Sequence, residues 1–395
     1  MRLLVASVPG AGHVNPLLPL ALAARAAGHD VLWATGPQAL RGVTAAGIEG
    51  VPAGPDFPAL FAQLAARTRG TPGDGIPGER LPHWFAPRLF GEVGTPLMVD
   101  DLLAAARDFA PDAVLFDSRC YAGAVAAAAV GALPVLQAVT RLLPPEAEQL
   151  VSDAVTPLWR SLGLPVPHLA GMFDGLTVSA WPASLDDPSG YGDLDVLRLA
   201  PVAAAAPPPP WLGELADRPL VYATLGTVFT GDAAMLGAIV EGVTACDVSL
   251  VLTTGAAFDP AALGPLPPRT RVERFVPQEA LLPHCAAVVS HGGSGTALGA
   301  LAHGLPHVAL PQGADQFGNA GVLERHGLGR WVRERPFTAP AITTALQEVL
   351  GTPSVAEGAG RVGAEMARGA TPEDALAAVT AAVTARLSEA AQTQP

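Results

Sequence analysis

Short apolar runs alternate with helical stretches along most of the chain. The first forty residues contain the apolar run RLLVASV, a helical stretch PLLPLALAARAAG that ends at Gly28, and a second apolar run, DVLWAT. Continuous apolar runs that alternate with helical patterns are typical of strands buried in a parallel sheet. This part of the chain therefore predicts a strand, a helix and a second strand of one parallel sheet.

The same alternation recurs in two separate parts of the chain. In the first part, AARDFAPDAVLFD and AGAVAAAAVGALPVLQAV predict helix, strand, helix and strand, and one of these strands ends at Asp117. In the second part, LVYATLGT, VSLVLTTG, RVERFVPQ, AAVVSHGG and PHVALPQ predict strands, with helices over 232–245, from Ser294 and after Asp315. We therefore predict an α/β protein with two Rossmann-like, doubly wound parallel-sheet domains.

A proline-rich segment separates the two parts. It contains four consecutive prolines, which can continue neither a helix nor a central strand. We predict a first domain over 1–200, a linker over 201–218 and a second domain over 219–371. An Ala-rich helix over 372–395 could pack back on the first domain. The length of 395 residues also favours two cores over one.

Composition and charge exclude several classes of protein. The formal net charge of −13 argues against a nucleic-acid partner. All 23 basic residues are Arg, which excludes a Walker-type lysine, a pyridoxal Schiff base and a lysine nucleophile. The apolar run at the amino terminus is too short for a signal core or a membrane span. We expect a cytoplasmic protein, and the choice between a monomer and a homodimer stays open.

The cysteines and most histidines carry no sign of a metal site. Cys120, Cys246 and Cys285 are far apart in the sequence, which predicts buried thiols in a reducing compartment. Several histidines at predicted element ends form no ligand-like cluster and are interpreted as structural; they include His29, His303, His307 and His326. We therefore predict no metal and no cofactor.

Four segments of small and polar residues directly follow predicted strands: PGAGHVNP, FDSRC, TLGT and SHGGSGT. Ligands of open parallel sheets bind at the carboxyl ends of the strands. Because two of these segments come from each domain, we expect the site in a cleft between the domains.

The segment SHGGSGT has the pattern of an anion site. A glycine-rich turn before a helix directs backbone N–H groups and the positive end of the helix dipole at one point. The backbone from Gly292 to Thr296 could hold a diphosphate, with His291 and the Thr296 hydroxyl as further donors. The residues that could line the other side are Thr224, Gly226 and Thr227. The alternative is a tight strand-to-helix turn that needs glycine for its conformation alone.

His13 follows the first predicted strand and is a candidate general base. A neutral imidazole can accept a proton from a hydroxyl, and Asp117 could hold its other ring nitrogen. The alternative is a packed loop histidine with Asp117 as a helix N-cap. The segment GAGHVN is not a dinucleotide fingerprint, because Asn15 stands at the third glycine position and no acid follows the second strand. A nicotinamide cofactor is therefore disfavoured.

Three segments resemble the GT-B nucleotide-sugar glycosyltransferases, in particular the actinobacterial enzymes that glycosylate natural products. They are GHVNPLLPLALAARAAGHDV, RFVPQEALLPH and HGGSGTALGALAHGLPHVALPQGADQFGNA. The resemblance spans nearly the whole chain and is most specific over 275–320. It implies a hexosyltransferase-type enzyme with two domains that face an interdomain cleft. It also implies an inverting, metal-independent transfer from a nucleotide sugar to a hydroxyl of a hydrophobic aglycone.

The resemblance also implies roles for individual residues. His13 would be the general base and Asp117 its orienting partner, while His291 and the following turn would stabilise the leaving diphosphate. The segment from Phe275 to Gln278 would bind the base and ribose. The donor-binding residues implied in this way are Gly226, Thr227, Phe275, Val276, Gln278, His291, Gly293, Ser294, Gly295, Thr296, Asp315 and Gln316, of which the last pair would bind sugar hydroxyls.

One position departs from the pattern of uridine-donor enzymes in this family. Those enzymes typically carry a Glu eight residues after the motif histidine, where it accepts from both ribose hydroxyls. Here that position is Gly299. Because deoxyribose has no 2′-hydroxyl, we predict a dTDP-sugar donor, with a UDP-sugar as the alternative.

The acceptor side is expected in two segments of the first domain, 53–100 and 139–159. We interpret the first as a mobile, aromatic-rich wall for an apolar aglycone, with loop packing as the alternative. The residues expected to contact the acceptor are Phe57, Phe61, Trp84, Phe85 and Arg141. Two other functions stay open: a nucleotide-sugar epimerase and a non-catalytic auxiliary or binding protein of the same fold.

Overall fold

Two compact units make up the chain, as a computed structural model shows. The structure describes residues 1–68, 75–186, 188–202, 206–226 and 233–393. The first unit comprises Met1–Ala200 and Gly369–Pro395, and the second comprises Pro201–Arg368. The first unit is thus formed by two separate stretches of sequence.

A sheet of seven parallel strands forms the centre of the first unit. Its strands are β1 (Arg2–Ala6), β2 (Asp30–Thr35), β3 (Glu49–Pro52), β4 (Ala113–Asp117), β5 (Leu133–Ala138), β6 (Leu176–Ser179) and β7 (Val196–Arg198). They are ordered β3-β2-β1-β4-β5-β6-β7. The carboxyl ends of the central strands β1 and β4 are therefore adjacent.

The second unit contains a sheet of six parallel strands. Its strands are β8 (Leu220–Thr224), β9 (Ser249–Thr253), β10 (Thr270–Glu273), β11 (Cys285–Ser290), β12 (His307–Ala309) and β13 (Gly329–Trp331). They are ordered β10-β9-β8-β11-β12-β13. Here the central strands β8 and β11 end side by side.

Helices connect the strands in both units. They are α1 (Ala11–Val14), α2 (Leu18–Ala26), α3 (Pro37–Ala45), α4 (Phe57–Thr68), α5 (Leu81–Phe85), α6 (Thr95–Phe109), α7 (Tyr121–Val130), α8 (Pro145–Ser161), α9 (Ala233–Thr244), α10 (Gln278–Leu281), α11 (Ser294–Ala302), α12 (Gln316–Arg325), α13 (Ala339–Gly351), α14 (Pro353–Met366) and α15 (Pro372–Thr393). A π-helix, Ala86–Gly94, joins α5 to α6.

The first unit buries both faces of its sheet, which explains why its central strands are continuous apolar runs. All residues of β4 and β5 are buried. Helix α7 packs closely on β4, because Gly123 lies where any Cβ would collide with the ring of Phe116. This close contact fixes the position of the loop that joins the end of β4 to α7.

The last helix, α15, belongs to the core of the first unit. Its buried residues Ala375, Leu376, Val379 and Val383 pack in the same cluster as α2 and β1. The chain returns to this unit beside the place where it left, because Ala370 donates to the carbonyl of Arg198 at 2.8 Å and accepts from the N–H of Ala200 at 2.8 Å.

Part of the predicted linker is folded into the second unit. Residues Pro210–Leu215 form a short 3-10 helix, and Leu212 and Leu215 are buried in a cluster with Leu220 and Tyr222 of β8. The four prolines therefore lie at the edge of folded structure.

From its sequence the segment 53–100 was expected to be a loop, but the structure shows that it is not. Its described residues are mostly helical, in α4, α5, the π-helix and α6. Prolines stand in the first turn of α5, of the π-helix and of α6, where a missing N–H costs no hydrogen bond. The prolines that we took for loop residues mark the beginnings of helices.

The cysteines depart in part from the expectation of buried thiols. All three are free, but only Cys120 is buried, whereas Cys246 and Cys285 are half-buried. Across the described residues, no helix is long and apolar enough to cross a membrane.

Candidate active site

His13 and Asp117 form a hydrogen-bonded pair at the carboxyl ends of β1 and β4. The distance from His13 Nδ1 to Asp117 Oδ1 is 3.0 Å, and Asp117 is fully buried. Asp117 also accepts from the N–H of Val8 at 2.7 Å and from the N–H of Arg119 at 2.7 Å. These bonds hold the carboxylate in place, so that it fixes the orientation of the imidazole. When Nδ1 carries the proton donated to Asp117, Nε2 is left as the basic nitrogen.

The loop after β1 brings this histidine close to aromatic side chains. Gly10 precedes α1, and a Cβ at this position would collide with the ring of Phe57. The imidazole lies 5.8 Å from the ring of Phe57 and 5.9 Å from that of Phe90, between ring centroids. Glycine at position 10 therefore permits the aromatic wall to approach His13.

Four of the five predicted acceptor residues lie in one chain of aromatic contacts that starts at His13. Phe57 contacts Phe61 at 6.0 Å, Phe61 contacts Phe85 at 6.4 Å, and Phe85 contacts Trp84 at 4.9 Å. Such a surface suits a flat or apolar ligand. The residues come from α4 and α5, so the wall is built from helices.

A small pocket lies beside this aromatic wall, within the first unit. Its lining is largely apolar, with Phe90 and Met98, and it also includes Arg119 and Tyr121. Arg141, the fifth predicted acceptor residue, does not line this pocket. Its Nε donates to the carbonyl of Leu185 at 2.9 Å. The structure thus brings Arg119 to the pocket in place of Arg141.

His291 stands at the end of β11 between two glycines. A Cβ at Gly226 would lie 2.7 Å from the imidazole, and one at Gly293 would also collide with it. Burial lowers the pKa of His291, so the ring is neutral near pH 7. The backbone N–H of His291 donates to the carbonyl of Thr224 at 3.3 Å, which ties the end of β11 to that of β8. The predicted residue Thr227 lies outside the described residues.

The glycine-rich turn leads into α11 and directs free backbone donors forward. The first bond of the helix runs from the N–H of Ala297 to the carbonyl of Gly293. The N–H groups of Gly295 and Thr296 precede it and so have no partner within the helix. A diphosphate at this point would receive two backbone donors and the positive end of the helix dipole.

Asp315 and Ser294 are bonded to each other. Oδ2 of Asp315 accepts from the hydroxyl of Ser294 at 2.6 Å and from its N–H at 3.1 Å. The polar groups of Ser294 are therefore engaged within the protein, through Oδ2 of Asp315. Gln316 is buried, and its Oε1 accepts from the N–H groups of Gln312 and Gly313 at 2.7 and 3.1 Å.

Asn319 was missed by the sequence analysis. Its Nδ2 donates to the carbonyl of Gly292 at 3.0 Å, to Oδ2 of Asp315 at 2.9 Å and to the hydroxyl of Ser294 at 3.2 Å. It stands four residues after Asp315, one helical turn along α12. That spacing within GADQFGNA was the signal that could have found it.

The predicted base-binding segment follows β10, which ends at Glu273. Phe275 is 75% exposed, Val276 is buried, and Gln278 begins α10. The side chain of Gln278 lies against Gly299 of α11: a Cβ at Gly299 would be 3.1 Å from Gln278 Nε2. The segment therefore offers an exposed aromatic ring at Phe275 and, three residues later, a polar amide at Gln278. No cluster of three acidic, His or Cys side chains able to hold a metal occurs in the part of the chain that the structure describes.

Comparison with known protein families gives matches over most of the chain. The N-terminal domain of the erythromycin biosynthesis protein CIII-like family matches residues 22–226, and the C-terminal domain of that family matches residues 237–382. The 10-deoxymethynolide desosaminyltransferase of Streptomyces venezuelae is 32% identical over 410 residues, which cover 94% of this chain and 95% of the relative.

Solved structures of glycosyltransferases are similar over nearly the full length. The glycosyltransferase SnogD from Streptomyces nogalater has a TM-score of 0.75 and 30% identity, covering 96% of this chain and 99% of its own. The glycosyltransferase SsfS6 of Streptomyces sp. SF2575, solved with thymidine diphosphate, has a TM-score of 0.80 and 26% identity, covering 97% and 100%.

Proposed function

Because this chain belongs to the erythromycin biosynthesis protein CIII-like family of glycosyltransferases, we propose that it transfers a deoxysugar from a dTDP-sugar to a hydroxyl of an apolar aglycone, with inversion. The family and the GT-B class predicted from the sequence are confirmed, and the chain is an enzyme that transfers sugar from a nucleotide sugar to an aglycone. The dTDP preference, the inversion and the residue roles are the proposal.

The observation that carries the proposal is the bond between His13 and Asp117 beside an aromatic wall. The acceptor hydroxyl donates its proton to Nε2 of His13 as its oxygen attacks the anomeric carbon. The buried carboxylate of Asp117 stabilises the imidazolium that forms. Attack from the face opposite the diphosphate inverts the configuration at that carbon.

The second unit binds the donor and stabilises the leaving group. As the bond from the anomeric carbon to the diphosphate oxygen breaks, its electron pair goes to the diphosphate. The N–H groups of Gly295 and Thr296 and the imidazole of His291 donate to the oxygens that gain charge. We assign the binding of sugar hydroxyls to Asp315 Oδ1 and to the amide nitrogen of Gln316, whose Oε1 is already bonded to the backbone.

The choice of dTDP rests on Gly299 and Gln278. The space beside Gly299 is occupied by the Gln278 amide, so a Glu side chain there would have to displace it. Position 299 therefore supplies no carboxylate that could accept a hydrogen bond from a ribose 2′-hydroxyl. The thymidine diphosphate in the SsfS6 structure supports the same assignment.

Titration of the enzyme with dTDP and UDP tests the donor assignment. We expect dTDP to bind more tightly, and Gly299→Glu to narrow the difference because its carboxylate can accept from the 2′-hydroxyl. Gly360→Glu adds the same charge to an exposed position of α14 and should leave the ratio unchanged. Tighter binding of UDP by the unaltered enzyme would refute the dTDP assignment.

Product analysis separates transfer from the other functions that the sequence left open. Incubation with a dTDP-deoxysugar and a polyketide aglycone should give an inverted glycoside. Isomerised sugar from donor alone would indicate an epimerase, and binding without any product would indicate an auxiliary protein. The relatives named above are called transferases, which favours the first outcome.

A further inference from the structure

His307 is the polar residue of β12, a buried strand whose other residues are apolar. It begins β12, where it is fully buried, and Val308 and Ala309 after it are apolar. Strands of a covered parallel sheet are normally apolar throughout. Burial lowers the pKa of His307 to about 3, with a smaller contribution from His291, so this imidazole is neutral.

Among the described residues, this imidazole makes one hydrogen bond, which leads to the glycine-rich turn. His307 Nε2 lies 2.7 Å from the hydroxyl oxygen of Ser290, the last residue of β11. The same oxygen accepts from the N–H of Gly292 at 2.9 Å. Nδ1 of His307 is buried and has no hydrogen-bond partner among the described residues. An unpaired buried nitrogen is unfavourable, and an apolar side chain at position 307 would avoid that cost. Packing alone therefore does not explain the histidine, whereas its bond to Ser290 can.

Counting donors and acceptors favours one tautomer. If Nε2 accepts the Ser290 O–H, the serine keeps its lone pairs for Gly292, and Nδ1–H alone is unpaired. If Nε2–H donates instead, the Ser290 hydroxyl proton and the Nδ1 lone pair both lack partners in the described structure. The first arrangement leaves fewer unpaired groups. His307 then fixes the rotation of the Ser290 hydroxyl.

Gly292 is held from both of its polar groups. Its N–H donates to Ser290, and its carbonyl accepts from Asn319 at 3.0 Å. Its φ of +79° lies in the left-handed region that glycine adopts readily. Gly292 joins His291 to the turn before α11, so its orientation sets the directions of the donors on either side.

We propose that Ser290 and His307 are positioning residues for the diphosphate: His307 Nε2 accepts the Ser290 O–H, Ser290 accepts the Gly292 N–H, and the turn is thereby held in its anion-binding conformation. This inference rests on the donor site proposed above. Neither side chain touches the ligand. Both act through the backbone of Gly292.

Binding of dTDP by four variants tests this relay, that is, the chain of hydrogen bonds from His307 through Ser290 to Gly292. Ser290→Ala and His307→Leu should each weaken binding, by about fivefold to tenfold for the loss of one hydrogen bond. His307→Gln should restore most of the affinity, because its amide oxygen can accept the same O–H. Ser249→Ala is the matched control, since Ser249 is a fully buried serine of the same sheet whose hydroxyl has no described partner. Its affinity for dTDP should be unchanged.

The double variant distinguishes a relay from independent packing. Because His307 acts through Ser290, adding His307→Leu to Ser290→Ala should cause no further loss of dTDP affinity. In kinetics, both single variants should raise KM for the donor more than they lower kcat. Additive losses in the double variant, or a His307→Gln variant as weak as His307→Leu, would overturn the proposal.

Two measurements on the protein without nucleotide keep the relay separate from the proposed function. Nitrogen-15 NMR of histidine-labelled protein should show the Nδ1–H tautomer at His307, and the Nε2–H tautomer would refute the relay. Amide exchange at Gly292 should be slow in the unaltered protein and faster in Ser290→Ala. Failure of the unaltered enzyme to bind dTDP would overturn the donor assignment, whereas unchanged exchange at Gly292 would overturn the relay.

Discussion

In the proposed mechanism, the acceptor chemistry depends on His13. Replacement by Ala removes the group that takes the proton, and we expect kcat to fall by about 10²- to 10⁴-fold. The dissociation constant for dTDP should not change, because the donor contacts belong to other residues. Steady-state kinetics and calorimetric titration measure the two effects. His168→Ala, an exposed histidine of the same unit, is the control; full turnover in His13→Ala would exclude it as the base.

His291 has the opposite expected profile. Its neutral imidazole lies between Gly226 and Gly293 at the start of the glycine-rich turn. His291→Ala should weaken dTDP binding by about tenfold, as expected when a donor to a charged group is lost. Titration with dTDP measures this, and His303→Ala, an exposed histidine just after α11, should bind as the unaltered enzyme does. Equal affinities would remove His291 from the phosphate site.

The buried histidines also give the stability of the protein a pH dependence of known sign. Burial lowers the pKa of His307 to about 3 and lowers that of His291, both from 6.5. Below pH 6.5 the unfolded chain therefore binds more protons than the folded one. The free energy of unfolding should fall as the pH drops towards 3, by at most about 1.4 kcal/mol per pH unit for each histidine.

Urea unfolding of the unaltered protein and of His307→Gln, at about pH 7.5 and about pH 5, measures this contribution. The variant lacks one titrating group and should lose less stability on acidification. An equal loss in both proteins would contradict the prediction.

At the scale of elements, a buried ion pair connects α8 to the loop before α7. Glu148 accepts from the hydroxyl of Tyr121 at 2.6 Å and lies 4.0 Å from Nη1 of Arg119. Desolvation raises the pKa of Glu148, and the nearby guanidinium opposes that shift. Glu148→Leu would leave Arg119 charged and buried without its partner. We expect a loss of about 3–5 kcal/mol in the free energy of unfolding.

The double variant Glu148→Leu with Arg119→Met should be more stable than Glu148→Leu alone, because both charges are then removed. Urea unfolding compares the two. A double variant that is less stable than Glu148→Leu would mean that the pair is not the source of the effect.

The sequence allowed prediction of the central elements for a physical reason. The interiors of β1, β4, β8 and β11 are buried on both faces, so each strand is an apolar run apart from one terminal residue. These polar terminal residues are Arg2, Asp117, Thr224 and Ser290. The edge strands β3, β7 and β13 have three or four residues and are partly exposed, which leaves no such pattern. The helices of the aromatic wall were not predicted, because proline is common both in the first turn of helices and in loops.

The residues of the candidate site show the same difference between those that the sequence can place and those that it cannot. Asp117 ends β4, His291 directly follows β11, and His13 lies in the short helix α1 that follows β1, so their positions along the chain indicate their positions in space. Ser290, His307 and Asn319 act through contacts between elements far apart in sequence. The pairing of Ser290 with His307 follows from tertiary packing, which single-residue patterns do not encode. For Asn319 the sequence holds one local signal, its spacing of one helical turn from Asp315.

At the scale of the whole molecule, α15 completes a core built by the other end of the chain. A chain that ends at Arg368 would lose the buried Leu376, Val379 and Val383. Each such side chain contributes about 1.5–3 kcal/mol when fully buried, so the first unit should unfold at a clearly lower temperature. Removal of 387–395 instead deletes the exposed Leu387 and should have little effect. Calorimetry compares the three chains; equal melting of the shortest and the full-length protein would contradict the prediction.

The return of the chain at Ala370 beside Ala200 has a consequence for engineering. The second unit is an insertion in the first, and its two ends are attached at neighbouring points of one backbone ladder. Recombination of this enzyme with a relative should therefore use two crossovers, near 200 and near 369, and exchange the intervening cassette as a whole. A chimera made with one crossover would combine a host scaffold with a foreign last helix, and its interior would be mismatched before any sugar is bound.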